Sequence, residues 1–472
     1  MNTGDTESKI GKTIAIIGGG VSGSLTAYHL IEQHAQARIV VIDPRPELGL
    51  GLAYSTPSFR HLLNVPAGKI SALPTQPEHF LSWLRANYDA EATTDTFASR
   101  AVFGRYIRAL LEESSEIEQI RATVVDYRPV PAGGVLLLSD GSELRAELVV
   151  LATGNFVPST LHGVSKEATL SGTYRHNAWL PDTFDGLESD APVTLIGTGL
   201  TGVDVLLRLR ELGHRGIITA VSRHGVFPNR HAPYTLVRHS AIPIGTPATC
   251  LAYLRVLRAA IRDGAEWRAA IDSLRSTTNE LWIALPHREQ ARFRRHLMRR
   301  WDIVRHRMAP PIADLIEAEL AVGSLVVRKG NLVSVEASTG GATVKIRTSR
   351  GLEELATGRV INCTGPGMDY RRVDSPLLRS LFSQRLVTTG PLGGGFDSSE
   401  CGAMIGVNGL ASPVLFNLGP GRLGTLLESI AIPEIRQQAV QLAMMLVQRI
   451  GNLEQPKSIS RSQASNGIHT RW

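Results

Sequence analysis

The sequence has little of several features that mark particular classes of protein. Its 472 residues include only three cysteines, Cys250, Cys363 and Cys401, which lie too far apart for a disulfide framework, a dithiol pair or a metal cluster. No apolar run approaches the ~20 residues of a membrane-spanning helix. Residues 1–10 are polar, so we expect no signal peptide and no membrane partner. Hydrophobic residues make up 43% and charged residues 20%, which favours a globular, cytoplasmic protein with two or three folding units.

Lysine is absent from residues 255–308, although this segment holds thirteen arginines and only six acids. Its net charge of +7 equals the formal net charge of the whole chain, so the remaining sequence is neutral. The arginines alternate with acids and apolar residues, which is typical of amphipathic helices and not of a nucleic-acid-binding motif. We therefore expect no nucleic-acid partner, and we interpret the segment as a local source of positive potential.

A glycine turn between an apolar strand and a helix is the first motif along the chain. Residues 12–17 have the pattern of a buried strand, and Gly18, Gly20 and Gly23 follow as G-x-G-x-x-G. The first glycine makes the tight turn, the second admits a pyrophosphate, and the third lets the helix pack on the strand. Asp43 ends the next strand, where a carboxylate can bind ribose hydroxyls and repels a 2′-phosphate. These residues predict a site for FAD.

The same arrangement occurs a second time in the middle of the chain. Gly197, Gly199 and Gly202 follow another apolar strand, and the strand after them ends in Ser222 and Arg223 instead of an acid. A hydroxyl and a planar guanidinium suit the 2′-phosphate of NADPH. We therefore predict that the second site binds NADPH better than NADH, with NADH left open.

The two motifs define a domain organisation. We predict an α/β fold with two Rossmann-like dinucleotide-binding domains, the second inserted in the first and itself carrying a helical insertion. The predicted parts are an FAD-binding domain at 11–185 and 350–451, an NAD(P)H-binding domain at 186–349, its arginine-rich helical insertion at about 235–322, and a disordered tail at 452–472.

These features resemble the two-dinucleotide-binding flavoproteins, in particular a bacterial FAD-NAD(P)-binding family close to the flavin-dependent monooxygenases. The paired glycine turns carry the resemblance together with residues 49–56, 61–67, 301–307 and 428–436. The resemblance implies that Tyr54 and Asn64 lie near the isoalloxazine, and that Arg100 meets the FAD phosphate or adenine. It also implies that the strand ending in Thr153 and Gly154 returns the chain between the domains beside the cofactor.

The resemblance implies a reaction as well. NAD(P)H would reduce FAD, reduced FAD would react with O₂ to a C4a-hydroperoxyflavin, and OH would pass to a small nitrogen-rich substrate. Urate, giving 5-hydroxyisourate, is the preferred substrate, and N-hydroxylation of an amino acid is the alternative. A flavin reductase or electron-transfer enzyme without oxygenation also stays open, while a non-enzymatic arginine-rich binder is the least favoured.

Two segments depart from the flavoprotein pattern. Leu170 replaces the phenylalanine of the F-x-G-x-x-x-H motif of Baeyer–Villiger monooxygenases, although His176 keeps the histidine. We therefore do not expect Baeyer–Villiger chemistry, but His176 stays a candidate for positioning the nicotinamide or gating the domain interface, and Asn64 is the other catalytic candidate. Near the C-terminus, Asn417 and the glycines after it stand where a Gly-Asp usually meets the ribityl chain.

The substrate candidates lie in the arginine-rich insertion. Arg305 and Arg307 flank His306, and a planar guanidinium suits a flat, anionic substrate such as urate. The alternative is that these arginines pair with nearby acids. No histidine or cysteine pair has metal-ligand spacing, so we expect no metal.

Overall fold

The structure is a computed structural model that describes residues 11–112, 116–235, 237 and 239–452. The predicted disordered tail lies outside the described residues, apart from Asn452. None of the described helices has both the length and the apolar composition that a membrane span requires.

The strands and helices alternate along most of the chain. The strands are β1 (Thr13–Ile17), β2 (Arg38–Ile42), β3 (Ile117–Ile120), β4 (Val124–Val130), β5 (Gly133–Leu138), β6 (Glu143–Ala146), β7 (Leu148–Leu151), β8 (Tyr174–Arg175), β9 (Val193–Ile196), β10 (Ile218–Ser222), β11 (Leu325–Lys329), β12 (Asn331–Ser338), β13 (Gly341–Thr348), β14 (Gly351–Thr357), β15 (Arg359–Asn362), β16 (Ala403–Ile405) and β17 (Ala411–Asn417). The α-helices are α1 (Val21–Glu32), α2 (Gly51–Tyr54), α3 (His79–Asn87), α4 (Arg100–Glu112), α5 (Lys166–Leu170), α6 (Leu200–Glu211), α7 (Cys250–Arg262), α8 (Trp267–Asp272), α9 (Thr278–Ala284), α10 (His287–His296), α11 (Met298–Arg305), α12 (Pro310–Val322), α13 (Pro376–Ser383) and α14 (Ile432–Asn452).

The first domain is built on a six-stranded sheet with the order β16-β17-β7-β1-β2-β3. Every neighbouring pair is parallel except β16 and β17. All five residues of β1 are buried, because α1, α4 and α14 cover one face of the sheet while the β4-β5-β6 sheet and α13 cover the other. This double covering explains why the isoleucine-rich strands are continuously apolar instead of alternating.

The second domain is built on a five-stranded, fully parallel sheet with the order β11-β10-β9-β15-β8. Helices α6 and α12 pack on one face, and α5 with the β12-β13-β14 sheet packs on the other. Strands β8 and β15 therefore belong to this sheet, whereas the sequence assigned 174–175 and 359–362 to the first domain. The second domain therefore extends beyond its predicted limits of 186 and 349 on both sides, because strand pairing, and not proximity in the sequence, decides which domain a strand belongs to.

Five helices, α7 to α11, form the helical insertion between β10 and α12. Helix α12 is not part of it, because Ile312 and Ile316 are buried in the core of the second domain. The insertion is docked on the C-terminal part of the first domain: Arg275 Nε donates to Glu434 at 3.0 Å, and Asn279 Nδ2 donates to the Glu428 carbonyl at 2.8 Å. It therefore bridges the two nucleotide-binding domains.

Candidate functional site

The first glycine turn adopts the predicted geometry at the start of α1. Gly18 has φ +107°, in the region that side chains rarely adopt, and a Cβ atom there would also collide with the Ala152 carbonyl. A Cβ on Gly23 would collide with the Gly18 carbonyl, so this glycine permits close packing of helix on strand. Gly20 precedes the helix, and no side chain caps the first turn of α1. The first amide groups of the helix are therefore available to an anion.

Asp43 lies at the end of β2 against this turn, as predicted, but its carboxylate is already engaged. It accepts hydrogen bonds from the Gly19 amide at 2.7 Å and from Arg45 Nε and Nη2 at 3.0 Å each. Burial raises the pKa of Asp43, but the bonds from Arg45 and Gly19 outweigh burial and lower the pKa overall. The carboxylate is thus ionised, and a ribose diol would replace the half-exposed Arg45 side chain. Its contact with ribose stays a prediction.

The strand end beside the first turn offers an orphaned polar group. Asn417 is 1% exposed, and neither its Oδ1 nor its Nδ2 has a partner among the described residues. Gly419 follows with φ +68°, and a Cβ atom there would meet Ser22 of α1. Thr153 also adjoins the turn, since its Cα lies 3.3 Å from a Cβ built on Gly18, and Gly154 follows with φ +69°. A buried amide without a partner beside a free helix start fits the polar groups of FAD.

The second glycine turn repeats the first. Gly197 has φ +128° and lies against the Cys363 carbonyl, and a Cβ on Gly202 would approach the Gly197 carbonyl to 2.7 Å. No side chain caps the first turn of α6. A Cβ on Gly199, by contrast, would meet nothing within 4 Å. The space in front of this turn is therefore open.

The two residues predicted to bind a 2′-phosphate have different surroundings. The Ser222 hydroxyl is 2.8 Å from the Thr198 hydroxyl and accepts a hydrogen bond from the Gly225 amide at 3.0 Å, so it helps to hold the turn. Arg223 is exposed, and no described residue pairs with it. The guanidinium is thus the available member of the pair.

A cleft of about 930 Å³ joins the second glycine turn to the first domain. Its predicted lining residues are Tyr54, Asn64, Arg100, Gly197, Gly199, Ser222 and Arg223. Burial raises the pKa of the Tyr54 hydroxyl, so this side chain is a neutral hydrogen-bonding group at physiological pH. The structure therefore brings the residues predicted to lie near the isoalloxazine into the same space as those predicted to bind NAD(P)H.

Arg100 joins the two domains. Its Nη1 and Nη2 donate to the two carboxylate oxygens of Asp204 on α6, at 2.7 and 3.2 Å. Both side chains are largely buried, and Asp204 did not stand out in the sequence. The guanidinium is occupied by this pair, so its predicted contact with the FAD phosphate or adenine stays a prediction and the observed partner is a protein carboxylate.

The structure corrects the interpretation of Arg305 and Arg307. Arg305 is 6% exposed and forms two 2.8 Å hydrogen bonds with the equally buried Glu428, while Arg307 donates to Asp272 at 2.6 Å. Neither lines the cleft. A buried guanidinium requires a carboxylate partner because desolvation of an unpaired charge is costly. Arg305 therefore ties the insertion to the C-terminal part of the first domain, Arg307 ties the end of the insertion to α8, and neither is placed to bind a substrate.

His176 does not line the cleft either. It follows β8, one edge strand of the second sheet, where its Nδ1 lies 3.3 Å from the Tyr174 hydroxyl. It is not among the cleft-lining residues, whereas Trp179 is. A role in positioning the nicotinamide receives no support from this location.

Several cleft residues of the insertion were missed by sequence reasoning. They are Arg294, Arg295, Arg299, Asp302 and His306. Burial raises the pKa of Asp302 to about 6 and lowers the pKa of His306 to about 4. The last four follow one another at helical spacings of three or four residues, and this regular interval is the signal that could have identified the face.

The fold and the cleft define a class. Two Rossmann-like domains, with one inserted in the other and the second glycine turn facing residues of the first domain across a cleft, are an architecture that suits the binding of two dinucleotides. Residues 15–156, which hold the first glycine turn, match the family model described as FAD-NAD(P)-binding.

Individual proteins show how far the likeness extends. The Uncharacterized protein YdhS of Escherichia coli (strain K12) is 26% identical over 246 residues, which is 47% of this chain and 43% of that relative. An ornithine N-hydroxylase from Kutzneria sp. 744, solved with reduced FAD, NADP⁺ and L-ornithine, has a TM-score of 0.65 at 15% identity, covering 92% of this chain and 99% of that one. A flavin monooxygenase mutant from Stenotrophomonas maltophilia has a TM-score of 0.55 at 19% identity, covering 93% and 99%. The chain thus shares its fold with these solved flavoproteins over almost its whole length.

Proposed function

We propose that this protein is a FAD-dependent, NADPH-consuming monooxygenase that hydroxylates a small nitrogen-containing substrate. The observation that carries the proposal is the cleft, in which the open second glycine turn faces Tyr54 and Asn64 of the FAD domain. A hydride donor held at that turn can extend towards a flavin held by the first domain. Because one fold serves many chemistries, the substrate must be argued from the cleft residues themselves.

The chain supplies binding, orientation and exclusion of water. FAD, when bound, supplies the capacity to take two electrons from NADPH and to activate O₂. The amide groups at the starts of α1 and α6 bind the pyrophosphates, and Arg223 binds the 2′-phosphate. Arg295 offers a second guanidinium to the 2′-phosphate, since it lines the cleft, is exposed and forms no described ion pair. The helical insertion covers the cleft and keeps water from the reacting groups.

Asp302 and His306 support an amine as the substrate. An ammonium group binds an ionised carboxylate strongly in a partly desolvated site. It must also lose a proton before its nitrogen can be hydroxylated, and the Asp302 carboxylate, whose pKa burial raises to about 6, can accept that proton. The neutral His306 imidazole can accept a hydrogen bond from the same amine. N-hydroxylation of a small amine is therefore the reaction that the cleft supports best.

The two residues that favoured urate as the substrate are not available to bind it. The two guanidinium groups expected to hold its anion, those of Arg305 and Arg307, are buried and paired with carboxylates. Other arginines line the cleft, so urate stays in the substrate panel, with 5-hydroxyisourate as the product to be sought.

A dithiol reductase is the less favoured reading of the same fold. All three cysteines lie among the described residues and all are free. Cys250 and Cys363 are buried, while Cys401 is exposed. Cys250 begins α7 of the insertion, whereas Cys401 precedes β16 of the first domain. Burial raises the pKa of the Cys250 thiol to about 11, which leaves it protonated and unreactive. Electron transfer from the flavin to another acceptor is distinguished by the experiment below.

The test measures flavin content, NADPH oxidation, O₂ uptake and product mass with a panel of ornithine, lysine, aspartate, xanthine and urate. We expect bound FAD, and with one amine a product heavier by one oxygen atom in a one-to-one ratio to NADPH consumed. Absence of flavin after reconstitution would refute the proposal. NADPH oxidation that yields only peroxide, or that reduces an added quinone with every compound in the panel, would assign a reductase instead.

Gly199→Val provides a variant for the second glycine turn. Gly199 has φ −83° and open space around its Cβ position, so valine fits the fold but occupies the place of the pyrophosphate. We expect flavin content to stay unchanged and the NADPH KM to rise at least ~10-fold, as for loss of charge-assisted hydrogen bonds. Gly451→Val, on the exposed end of α14 where a Cβ is also unobstructed, is the matched control.

A further inference from the structure

Asp204 of the second domain is bound by the first domain through both its side chain and its backbone. Its two carboxylate oxygens accept the hydrogen bonds from Arg100, the first residue of α4, at 2.7 and 3.2 Å. Its carbonyl oxygen accepts a hydrogen bond from His61 Nε2 at 2.9 Å. Arg100 in turn donates from Nε to the Leu62 carbonyl at 3.3 Å, so the two donors are also tied to each other. One residue of α6 is therefore held by two parts of the first domain.

The histidine of this network is neutral and fully hydrogen-bonded. His61 is 4% exposed, and burial lowers its pKa. A carbonyl oxygen can only accept a hydrogen bond, so Nε2 carries the proton that faces Asp204. The other ring nitrogen, Nδ1, then accepts from the Thr56 hydroxyl at 2.7 Å. A buried polar network in which every group has a partner favours one fixed arrangement of its members.

The network lies between the two predicted cofactor sites. On one side, α6 begins at Leu200 directly after the second glycine turn, and Asp204 follows about one helical turn later. On the other side, the threonine and the histidine lie in the chain between Tyr54 and Asn64, which line the cleft and are predicted to lie near the isoalloxazine. Arg100 and Asp204 line the cleft as well. The network thus connects the helix that starts the coenzyme site to the segment beside the predicted flavin.

We propose that Asp204 is a positioning residue for hydride transfer from NADPH to FAD, an inference that rests on the proposed function. In this transfer two electrons and one proton pass together from NADPH to FAD and leave NADP⁺ and reduced FAD. The reacting atoms must lie about 3–3.5 Å apart, and a displacement of about 1 Å costs ~100-fold in rate. Asp204 acts through Arg100 and His61, because these contacts fix the second glycine turn relative to residues 54–64.

Two substitutions of Asp204 test this role. Asp204→Asn removes the charge at nearly constant volume. Asp204→Glu keeps a charged partner for Arg100 but moves the carboxylate outward by one methylene, so it remains informative if the asparagine variant does not fold. Circular dichroism and flavin content show whether each variant is folded.

Glu319→Gln is the matched control. Glu319 accepts hydrogen bonds from Arg210 Nε and Nη2 at 2.9 and 2.7 Å, and Arg210 lies on the same helix as Asp204. This ion pair is also largely buried, but it lies within the second domain and neither partner lines the cleft. The control therefore loses a comparable ion pair of α6 without loosening the contact between the domains.

Anaerobic stopped-flow mixing of the FAD-loaded protein with excess NADPH measures the limiting rate of flavin reduction separately from the NADPH dissociation constant. We expect the limiting rate to fall at least ~10-fold in both Asp204 variants, with the dissociation constant unchanged. The charge-transfer absorbance of stacked flavin and nicotinamide rings should weaken in parallel. Glu319→Gln should behave as the native protein in both measurements.

Hydrogen–deuterium exchange of the FAD-loaded protein without NADPH provides a readout that does not depend on turnover. The backbone amides of residues 56–64 should exchange faster in both Asp204 variants and at the native rate in Glu319→Gln, because only the former loosen the contact with α6. Native exchange in this segment of the Asp204 variants would overturn the inference.

The kinetic outcomes separate this inference from the proposed function. A native limiting rate in a folded Asp204 variant would overturn the positioning role alone. A changed NADPH dissociation constant at a native limiting rate would overturn it too, since Asp204 would then be a coenzyme-binding residue. If NADPH did not reduce the flavin of the native protein, the proposed function would fail and this inference with it.

Discussion

Replacement of Asp302 by asparagine tests the electrostatics of the cleft. The Asp302 carboxylate lines the cleft and accepts no described hydrogen bond from a side chain, while burial raises its pKa to about 6, partly opposed by Arg299. The folded protein therefore binds a proton at this carboxyl more tightly than the unfolded chain does. Its contribution to stability is most favourable at low pH and declines as the pH rises from about 4 to about 6.

The size of the effect follows from the two pKa values. One pKa unit corresponds to about 1.36 kcal/mol, so the difference between 3.8 and about 6 amounts to about 3 kcal/mol of destabilisation when Asp302 is fully ionised. About half of that penalty is present at pH 5, and all of it above pH 7. Asp302→Asn removes the charge at nearly constant volume. We expect it to raise the free energy of unfolding at pH 7.5 by up to about 3 kcal/mol.

Urea denaturation of the native protein and of Asp302→Asn at pH 5, 6 and 7.5 measures this difference. The gain in the free energy of unfolding on Asp302→Asn should be smallest at pH 5. Asp263 is an exposed acid elsewhere in the insertion, so Asp263→Asn should show no gain. Turnover of an amine substrate by Asp302→Asn should fall at least ~10-fold, since a charged hydrogen bond is lost. A variant that is less stable than the native protein at pH 7.5, or that gains equally at every pH, would refute the reasoning about burial.

Three further predictions concern other charged and polar groups. In steady-state kinetics with both coenzymes, Arg223→Ala should raise the NADPH KM ~10-fold and leave the NADH KM unchanged. Arg255→Ala is the control, because Arg255 on α7 is exposed and does not line the cleft. Equal changes for both coenzymes would contradict the 2′-phosphate assignment. Arg305→Ala should lower the free energy of unfolding by about 3–5 kcal/mol in urea, because Glu428 is left buried and unpaired; a change under 1 kcal/mol would mean that the pair is not buried in solution. Asn417→Ala should weaken FAD retention in equilibrium dialysis while leaving the flavin-free protein as stable as before, since the amide has no described protein partner to lose; loss of stability without loss of FAD would reverse the assignment.

The glycine turns show which features are local enough to predict. Gly18 and Gly197 have φ values of +107° and +128° because a strand must reverse into a helix over a few residues. The residue types needed for that turn are contiguous, so they can be recognised without knowledge of the rest of the fold. The α/β fold with Rossmann-like parallel sheets was predicted from these turns and is confirmed by the sheet topology. The match to the FAD-NAD(P)-binding model covers the first of the two turns, and the contacts of each turn with a cofactor stay predictions.

The arginine-rich segment shows where sequence reasoning stopped. Arg305 and Arg307 stood out because they flank a histidine, yet packing places both against carboxylates at 2.6–2.8 Å. Arg295 on α10 and Asp302 on α11, neither of which was predicted as a site residue, line the cleft. The composition of the segment predicted its positive charge. It could not show which arginines form buried ion pairs and which are free, because the partners are up to 123 residues away in the chain.

The amino-acid sequence by itself determined two glycine turns, their strands and helices, and a strongly basic helical insertion, since each depends on neighbours a few residues apart. Only the tertiary structure decided that 174–175 and 359–362 join the second sheet, that Arg100 bridges the domains through Asp204, and which insertion residues face the cleft. The physical reason is that pairing and desolvation are properties of residues brought together in space. A guanidinium binds a phosphate, a carboxylate or a substrate according to what packing leaves beside it.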